Sequence, residues 1–414
     1  MKTTSIRIKI GILNFLEFGA WGAWLISLGS YLGGKLGFTP VQIGSFYALQ
    51  GIASIFMPTL MGIVADRWMQ AQKVFGLCHF LTAAFLVGAS FMTSYAAIYP
   101  MMLGAVLFFM PTIALNNTVG YNALYAVGLD PVKDFPPLRV WGTIGFIASM
   151  WAVDLLGFSQ SHVQLWLSAG LSVILAIFAF TMPKCPVKPV SGEQSLVEKL
   201  GLKAFSLFKE KKMAIFFIFS MLLGMCLQVT NTFADGYIKS FGEQEIYQNT
   251  FGVKHSVMLI SLSQISEALC ILLIPFFLRK FGIKKVMLIS MVAWVFRFGL
   301  FGAGNPGPGV WMFVLSCIVY GVAFDFFNIS GSLYVNMKTD EKIRSSAQGL
   351  FMLMTNGIGA TIGTLSAQAV VNHFVYNSAD PSWSSAWYVF AAYALAVGVL
   401  FMILFKDPQK QAKA

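Results

Sequence analysis

Long, nearly unbroken apolar runs alternate with short polar punctuation along the whole chain, and the period-2 alternation of a barrel strand is missing. A helix needs about 20 mostly apolar residues to cross a bilayer. On that scale the pattern predicts an all-α membrane protein with twelve transmembrane helices. The expected spans are approximately 10–33, 41–65, 74–93, 96–117, 139–157, 163–183, 213–234, 256–278, 286–303, 310–335, 346–372 and 385–405. Lys2, Arg7 and Lys9 precede an apolar run too long for a signal-peptide core, so the first span is expected to stay uncleaved.

Composition agrees with this pattern. Of 414 residues, 57% are hydrophobic and only 11% charged, against about 25% charged in a soluble domain. The net charge of +11 would suggest a nucleic-acid partner in a soluble protein, but here the placement of the charges argues against one. With the N-terminus inside, 23 of the 28 Lys and Arg fall in inner segments and three (Lys35, Lys239 and Lys254) in outer loops. That asymmetry places both termini in the cytoplasm. The longest inner loop, 184–212, carries seven lysines with Pro186, Pro189 and Gly192. It divides the chain into a six-helix half at 1–183, a cytoplasmic linker and a second six-helix half at 213–414. Met57-Pro58-Thr59 late in span two is echoed by Ile274-Pro275-Phe276 late in span eight, and a charged inner turn follows each. Repeated halves are the plan of many secondary transporters, whose sites lie near the midplane between halves.

Catalytic chemistry has no foothold in the sequence. No GxxxxGK[ST], HExxH or GxSxG occurs, and His79, His162, His255 and His373 are scattered, which reads as structural. Cys78, Cys185, Cys226, Cys270 and Cys317 form no CxxC and read as small buried hydrophobes. The chain is therefore expected to be a non-enzyme without metal or cofactor.

Polar groups inside a bilayer are costly and usually face the bundle interior. Span five carries Arg139, Thr143 and Phe146 at i, i+4 and i+7, on one helical face. Span one carries Asn14, Glu17, Trp21 and Trp24, and span four carries Asn116 and Asn117. In the second half, Gln228 and Asn231 are three apart, as are Gln264 and Glu267. Asp325, Asn328 and Ser332 share a face flanked by Phe324, Phe326 and Phe327. Amides and carboxylates bond hydroxyls, amides also pair with base edges, and aromatic rings stack on flat ones. This set suits a neutral, hydroxylated, ring-containing solute. Arg139 and Asp325 are expected to pair, since each buried charge needs a partner. A carboxylate that exchanges its arginine for a proton would couple uptake to the proton gradient. Glu267 is the next proton carrier in order, and Glu17 the third. Asp154 and Asp235 are read as rim groups, and Arg297 as a snorkelling or packing residue in a peripheral span. Gly142 and Gly145 in span five and Gly357, Gly359 and Gly363 in span eleven permit close helix approach.

Gly62-Ile63-Val64-Ala65-Asp66-Arg67 is similar to the loop signature of the major facilitator superfamily. More specific are Asp134-Phe135-Pro136-Pro137-Leu138-Arg139-Val140-Trp141-Gly142-Thr143-Ile144-Gly145-Phe146, Ala323-Phe324-Asp325-Phe326-Phe327-Asn328-Ile329-Ser330-Gly331-Ser332, Met213-Ala214-Ile215-Phe216-Phe217 and Ser345-Ser346-Ala347-Gln348-Gly349. Together they resemble the bacterial nucleoside:proton symporter family. The resemblance implies a major facilitator fold in the inner membrane and alternating-access import of purine and pyrimidine nucleosides, such as uridine and adenosine, with protons. By motif, it implies nucleoside contacts from Arg139, Thr143, Phe146, Gln228, Asn231, Gln264, Glu267 and Asp325. Phe146 or Phe327 is expected against the base. A monomer is expected, with lipid and no nucleic acid as partners. Glu17 departs from the family, which has an amide there, and the segment Ala234-Asp235-Gly236-Tyr237 also differs. A neutral-sugar carrier and an exporter of nucleoside-like compounds are the competing readings. A membrane sensor has only nine residues after 405 for signalling.

Overall fold

The structure is a computed structural model that describes residues 3–129, 131–185, 202–339 and 344–405. Every regular element among these residues is helical: α1 (Thr3–Gly22), α2 (Pro40–Arg67), α3 (Ala71–Ser90), α4 (Tyr95–Tyr125), α5 (Pro131–Leu155), α6 (Val163–Ala179), α7 (Lys211–Gly224), α8 (Val229–Ser240), α9 (Leu262–Ala303), α10 (Val310–Lys338), α11 (Arg344–Met352), α12 (Ala360–Val371) and α13 (Trp383–Leu404), with short turns between them. Eight helical stretches among the described residues are long and apolar enough to cross a membrane, and Val163–Ala179 and Ser256–Ile271 are shorter apolar helices. The helix α1 and the Arg139-bearing α5 occupy the other two expected spans. All twelve spans are thus helical at their expected places.

The boundaries depart from expectation where the chain has its own punctuation. Pro40 and Pro131 each open a helix, where a missing N–H costs nothing. The fifth helix consequently starts eight residues earlier than its apolar run suggests. Spans eight and nine run on as one helical stretch, bent at Gly282, whose φ of 75° only glycine adopts readily. Span seven is broken between α7 and α8, and span eleven contains a π-helical stretch, Leu353–Gly359. Most of the expected linker, 186–201, lies outside the described residues, as do the side chains of Asp66, Arg67, Ser345, Ser346 and Gln348.

Two compact units result, Met1–Phe38 with Ile52–Glu193, and Thr39–Gly51 with Gln194–Ala414. In the first, α1 crosses α5 so closely that backbone meets backbone. A Cβ on Gly145 would lie 2.1 Å from the Phe15 carbonyl oxygen, and one on Gly22 would lie 2.4 Å from that of Phe146. Lipid tails are as apolar as leucine, so such packing rather than water exclusion holds helices together. In the second unit, rings supply much of the packing. Phe216 touches Phe217, Phe327, Tyr334, Phe351 and Phe405. Tyr237, Phe298 and Phe301 gather around Trp387.

The structure sharpens three expectations. Arg297 does not snorkel: it is 1% exposed, and its guanidinium donates to Thr230 Oγ1, Ser263 Oγ and the Ser316 carbonyl while lying 4.3 Å over the Tyr320 ring. A guanidinium held by three neighbouring side chains and a backbone carbonyl has no reason to reach for the interface. Asp154 and Asp235, expected at the rim, stand near the ends of α5 and α8 and are buried there. Asp235 is held by Lys239 at 3.0 Å and by the Ser256 hydroxyl. The five cysteines are free and buried, as expected.

Candidate functional site

In the first unit the glycine-lined crossing of α1 and α5 sets one face. Arg139 lies 3.6 Å over the ring of Phe18, a cation–π contact made possible by the close approach at Gly142. One turn further along, half-buried Thr143 follows on the same helix face. Phe146, buried, meets Trp21 edge-on at 6.2 Å, and Trp21 meets Phe109 of α4 at 5.7 Å. The three residues singled out from span five therefore share a face bounded by Phe18 and Trp21.

A polar cluster that sequence reasoning only half saw lies behind this face. Glu17 is fully buried. It accepts from Thr112 Oγ1 at 2.7 Å and is hydrogen-bonded to His79 Nε2 at 2.7 Å. Next to it, Asn116 donates to Asn14 at 2.9 Å, and Asn14 donates to the Ile10 carbonyl. His79 and Thr112 were not among the expected site residues. The available signal was a histidine and a Pro-Thr pair inside otherwise apolar spans.

In the second unit the break in span seven places the amides. Helix α7 ends at Gly224, where its backbone abuts span eleven: a Cβ there would lie 2.2 Å from the Thr355 carbonyl oxygen. After a short turn, Gln228 opens α8 and accepts from Asn231 Nδ2 at 3.0 Å. Discontinuous helices with polar breaks are a recurrent way of building transporter sites. Facing the break is the π-helical stretch Leu353–Gly359, a conformation found often at functional sites. A cavity of about 20 Å³, room for one water, is lined by Gly224, Leu227, Phe327, Asn328, Thr355 and Asn356. Phe327 lines it from within the Phe216–Phe351 aromatic cluster. The contribution of Thr355 and Asn356 was missed, although Thr355-Asn356-Gly357 interrupts span eleven.

Two acceptors stand out. Asp325 is 4% exposed, and its Oδ2 has no hydrogen-bond donor; Gln264 Oε1 is likewise buried without one. A buried acceptor without a donor costs about 1–3 kcal/mol, so each is a place where a proton or a ligand donor gains. Glu267, one turn along α9 from Gln264, lies within electrostatic reach of Asp325. The structure thus brings Glu267 within electrostatic reach of Asp325, with Gln264 one turn from Glu267 on α9, and pairs Gln228 with Asn231. Arg139 belongs to the first unit and Asp325 to the second.

The arrangement has counterparts among known proteins. The family described as Nucleoside H+ symporter matches residues 2–410. The nucleoside permease NupG of Escherichia coli K12 is 48% identical over 403 residues, covering 97% of this chain and 96% of that protein. The xanthosine permease of the same organism is 47% identical over 410 residues, 98% of each. A crystal structure of a NupG mutant superposes with a TM-score of 0.94 at 48% identity, covering 97% of this chain and all of that one. The fold is accordingly the major facilitator fold of a multi-pass membrane transporter, not an enzyme, and the chain belongs to the nucleoside H+ symporter family.

Proposed function

We propose that the chain imports nucleosides with protons across the bacterial inner membrane by alternating access, with both termini cytoplasmic and the protein acting as a monomer. The observation that carries the reading is the pair of buried, donor-free acceptors, Asp325 Oδ2 and Gln264 Oε1, beside Glu267. Ribose hydroxyls and base N–H groups are the donors such acceptors lack. The nucleoside contacts are Arg139, Thr143 and Phe146 in the first unit and Gln228, Asn231, Gln264, Glu267 and Asp325 in the second. Phe146 or Phe327 lies against the base, as base–aromatic stacking favours.

The proton has its place at Asp325. Two carboxylates sharing one low-dielectric region do not ionise together without large cost, so Asp325 and Glu267 hold a proton between them. Substrate binding and protonation both supply a donor to Asp325, which links the two events. Two sequence relatives nearly half identical to this chain are a nucleoside permease and a xanthosine permease, consistent with a base-containing solute.

The test is uptake of labelled uridine and adenosine into nucleoside-transport-deficient bacteria expressing the chain, with unlabelled uridine and free ribose as competitors. Uridine competes and ribose does not. Gln264→Leu raises the KM for uridine about 2–10-fold, the loss of one hydrogen bond of about 0.5–1.5 kcal/mol. Equal competition by ribose would establish the sugar reading instead.

A further inference from the structure

The most completely buried ionisable cluster of the first unit has no part in the mechanism above. Glu17 and His79 are both 0% exposed, yet they sit 2.7 Å apart in a helical bundle that spans a membrane. A bare carboxylate is costly there, which makes the pair a place to hold a proton.

The hydrogen bonds decide where that proton sits. His79 Nδ1 is buried without a partner. An imidazolium would bury an unpaired N–H, whereas a neutral ring donating from Nε2 to Glu17 Oε2 leaves only a lone pair idle. The proton therefore belongs on Glu17, at Oε1. Thr112 is built to receive it. Its single hydroxyl proton has two acceptors in reach, Glu17 Oε1 at 2.7 Å and the Phe109 carbonyl at 2.6 Å. With Glu17 ionised, Thr112 donates to the carboxylate. With Oε1 protonated, Glu17 donates to the Thr112 oxygen and the threonine donates to Phe109. In going from one state to the other an O–H bond forms on Glu17 with a proton from water, and Thr112 changes acceptor. Both Glu17 oxygens and the Thr112 hydroxyl keep a hydrogen-bond partner in either state.

The cluster also touches the candidate substrate face. The His79 ring meets Phe109 at 6.0 Å, Phe109 meets Trp21, and Trp21 meets both Phe146 and Phe18, on which Arg139 rests. The other ionisable groups around Glu17 are few. Helix α3 presents His79 and the buried thiol of Cys78, and α4 and α6 carry no charged residue. Helix α5 presents Arg139, at the neighbouring residue Phe18. On α1 itself, Arg7 is bound to Asp134 and Lys9 to the Thr181 carbonyl.

We propose that Glu17, held by His79 and switched by Thr112, is a second protonation site of this transporter, lying in the unit that does not contain Asp325 and acting on the substrate face through Trp21 and Phe109. The proposal rests on the proton-coupled reading above. In it Glu17 is a positioning residue, since it does not touch the nucleoside.

The test uses the full-length protein in liposomes and two readouts. Glu17→Gln mimics the protonated state, because its amide oxygen accepts from His79 and its NH2 donates to Thr112. A pH-jump infrared difference spectrum of the wild type shows a protonated-carboxyl C=O band that vanishes in Glu17→Gln and persists in Asp325→Asn. Thr112→Val, which keeps the carboxylate but removes its switch, shifts that band. In uptake, the KM of Glu17→Gln is flat over the pH range in which the wild-type KM rises. Spectra and pH profiles of Glu17→Gln and Thr112→Val that superimpose on the wild type overturn the proposal while leaving Asp325 coupling intact. Wild-type uptake indifferent to a protonophore would instead overturn the proton-coupled reading itself.

Discussion

Replacing Gly145 by alanine tests whether the α1–α5 crossing sets the geometry of the first unit. Glycine inside a helix costs about 1 kcal/mol relative to alanine, so on propensity alone Gly145→Ala stabilises. The structure predicts the opposite. The new Cβ would lie 2.1 Å from the Phe15 carbonyl oxygen and 2.9 Å from the Phe15 Cα, both backbone atoms that no rotamer change can move. Ordinary contact needs more than 3 Å, so the helices must part by about an ångström. Overpacking of this kind costs about 1–3 kcal/mol. The same displacement loosens the Arg139–Phe18 contact at 3.6 Å and the Phe146–Trp21 contact at 6.2 Å, worth about 0.5–2 kcal/mol together. Gly170 is the matched control: it lies in α6 with nothing within 4 Å of its would-be Cβ. Thermal melting of the purified protein in detergent, followed by uridine uptake, reads both effects. Gly145→Ala melts several degrees below the wild type and takes up less uridine, whereas Gly170→Ala melts at or above it. A Gly145→Ala protein that melts as high as Gly170→Ala would refute the crossing as described.

Other consequences follow from single contacts. Asn14→Ala and Asn116→Ala remove the same hydrogen bond, so each lowers stability by about 1 kcal/mol and the double variant costs little more than either alone, as a thermal double-mutant cycle measures. Asp235→Asn weakens the tie to Lys239 and Ser256 and lowers the melting temperature, as thermal melting in detergent measures. Cys185, outside the spans, has its thiol pushed up from the ordinary range by burial, so less of it is thiolate at any given pH. Maleimide labelling at neutral pH is accordingly slow in the folded protein and fast after denaturation.

Helical spans were legible because a bilayer demands about 20 apolar residues and tolerates few exceptions. The bilayer also makes each polar intruder informative, which is why Arg139, Gln264 and Asp325 could be picked from type and position alone. What pairs with what was not legible. Arg297 reads as a snorkelling or packing residue, because the sequence does not reveal that Thr230, Ser263 and Ser316 converge on it from other spans. Glu17 reads as the third proton carrier, but its partners were not legible, because His79 lies 62 residues away and Thr112 lies 95 residues away. The break at Gly224 and the π-helical stretch opposite were invisible for a related reason. They lie where the backbones of two spans meet, and periodicity within one span carries no trace of that contact.

Proton coupling at Asp325 is the centre of the account, and accumulation against a gradient measures it most directly. Labelled uridine is followed in liposomes holding the wild type or Asp325→Asn, with an imposed pH gradient and with a protonophore, beside substrate counterflow without a gradient. The account predicts that the wild type accumulates uridine and loses this with the protonophore. It also predicts that Asp325→Asn, fixed in a form that resembles the protonated carboxyl, keeps counterflow but does not accumulate. Accumulation by Asp325→Asn equal to that of the wild type would contradict the assignment of the coupling proton to Asp325.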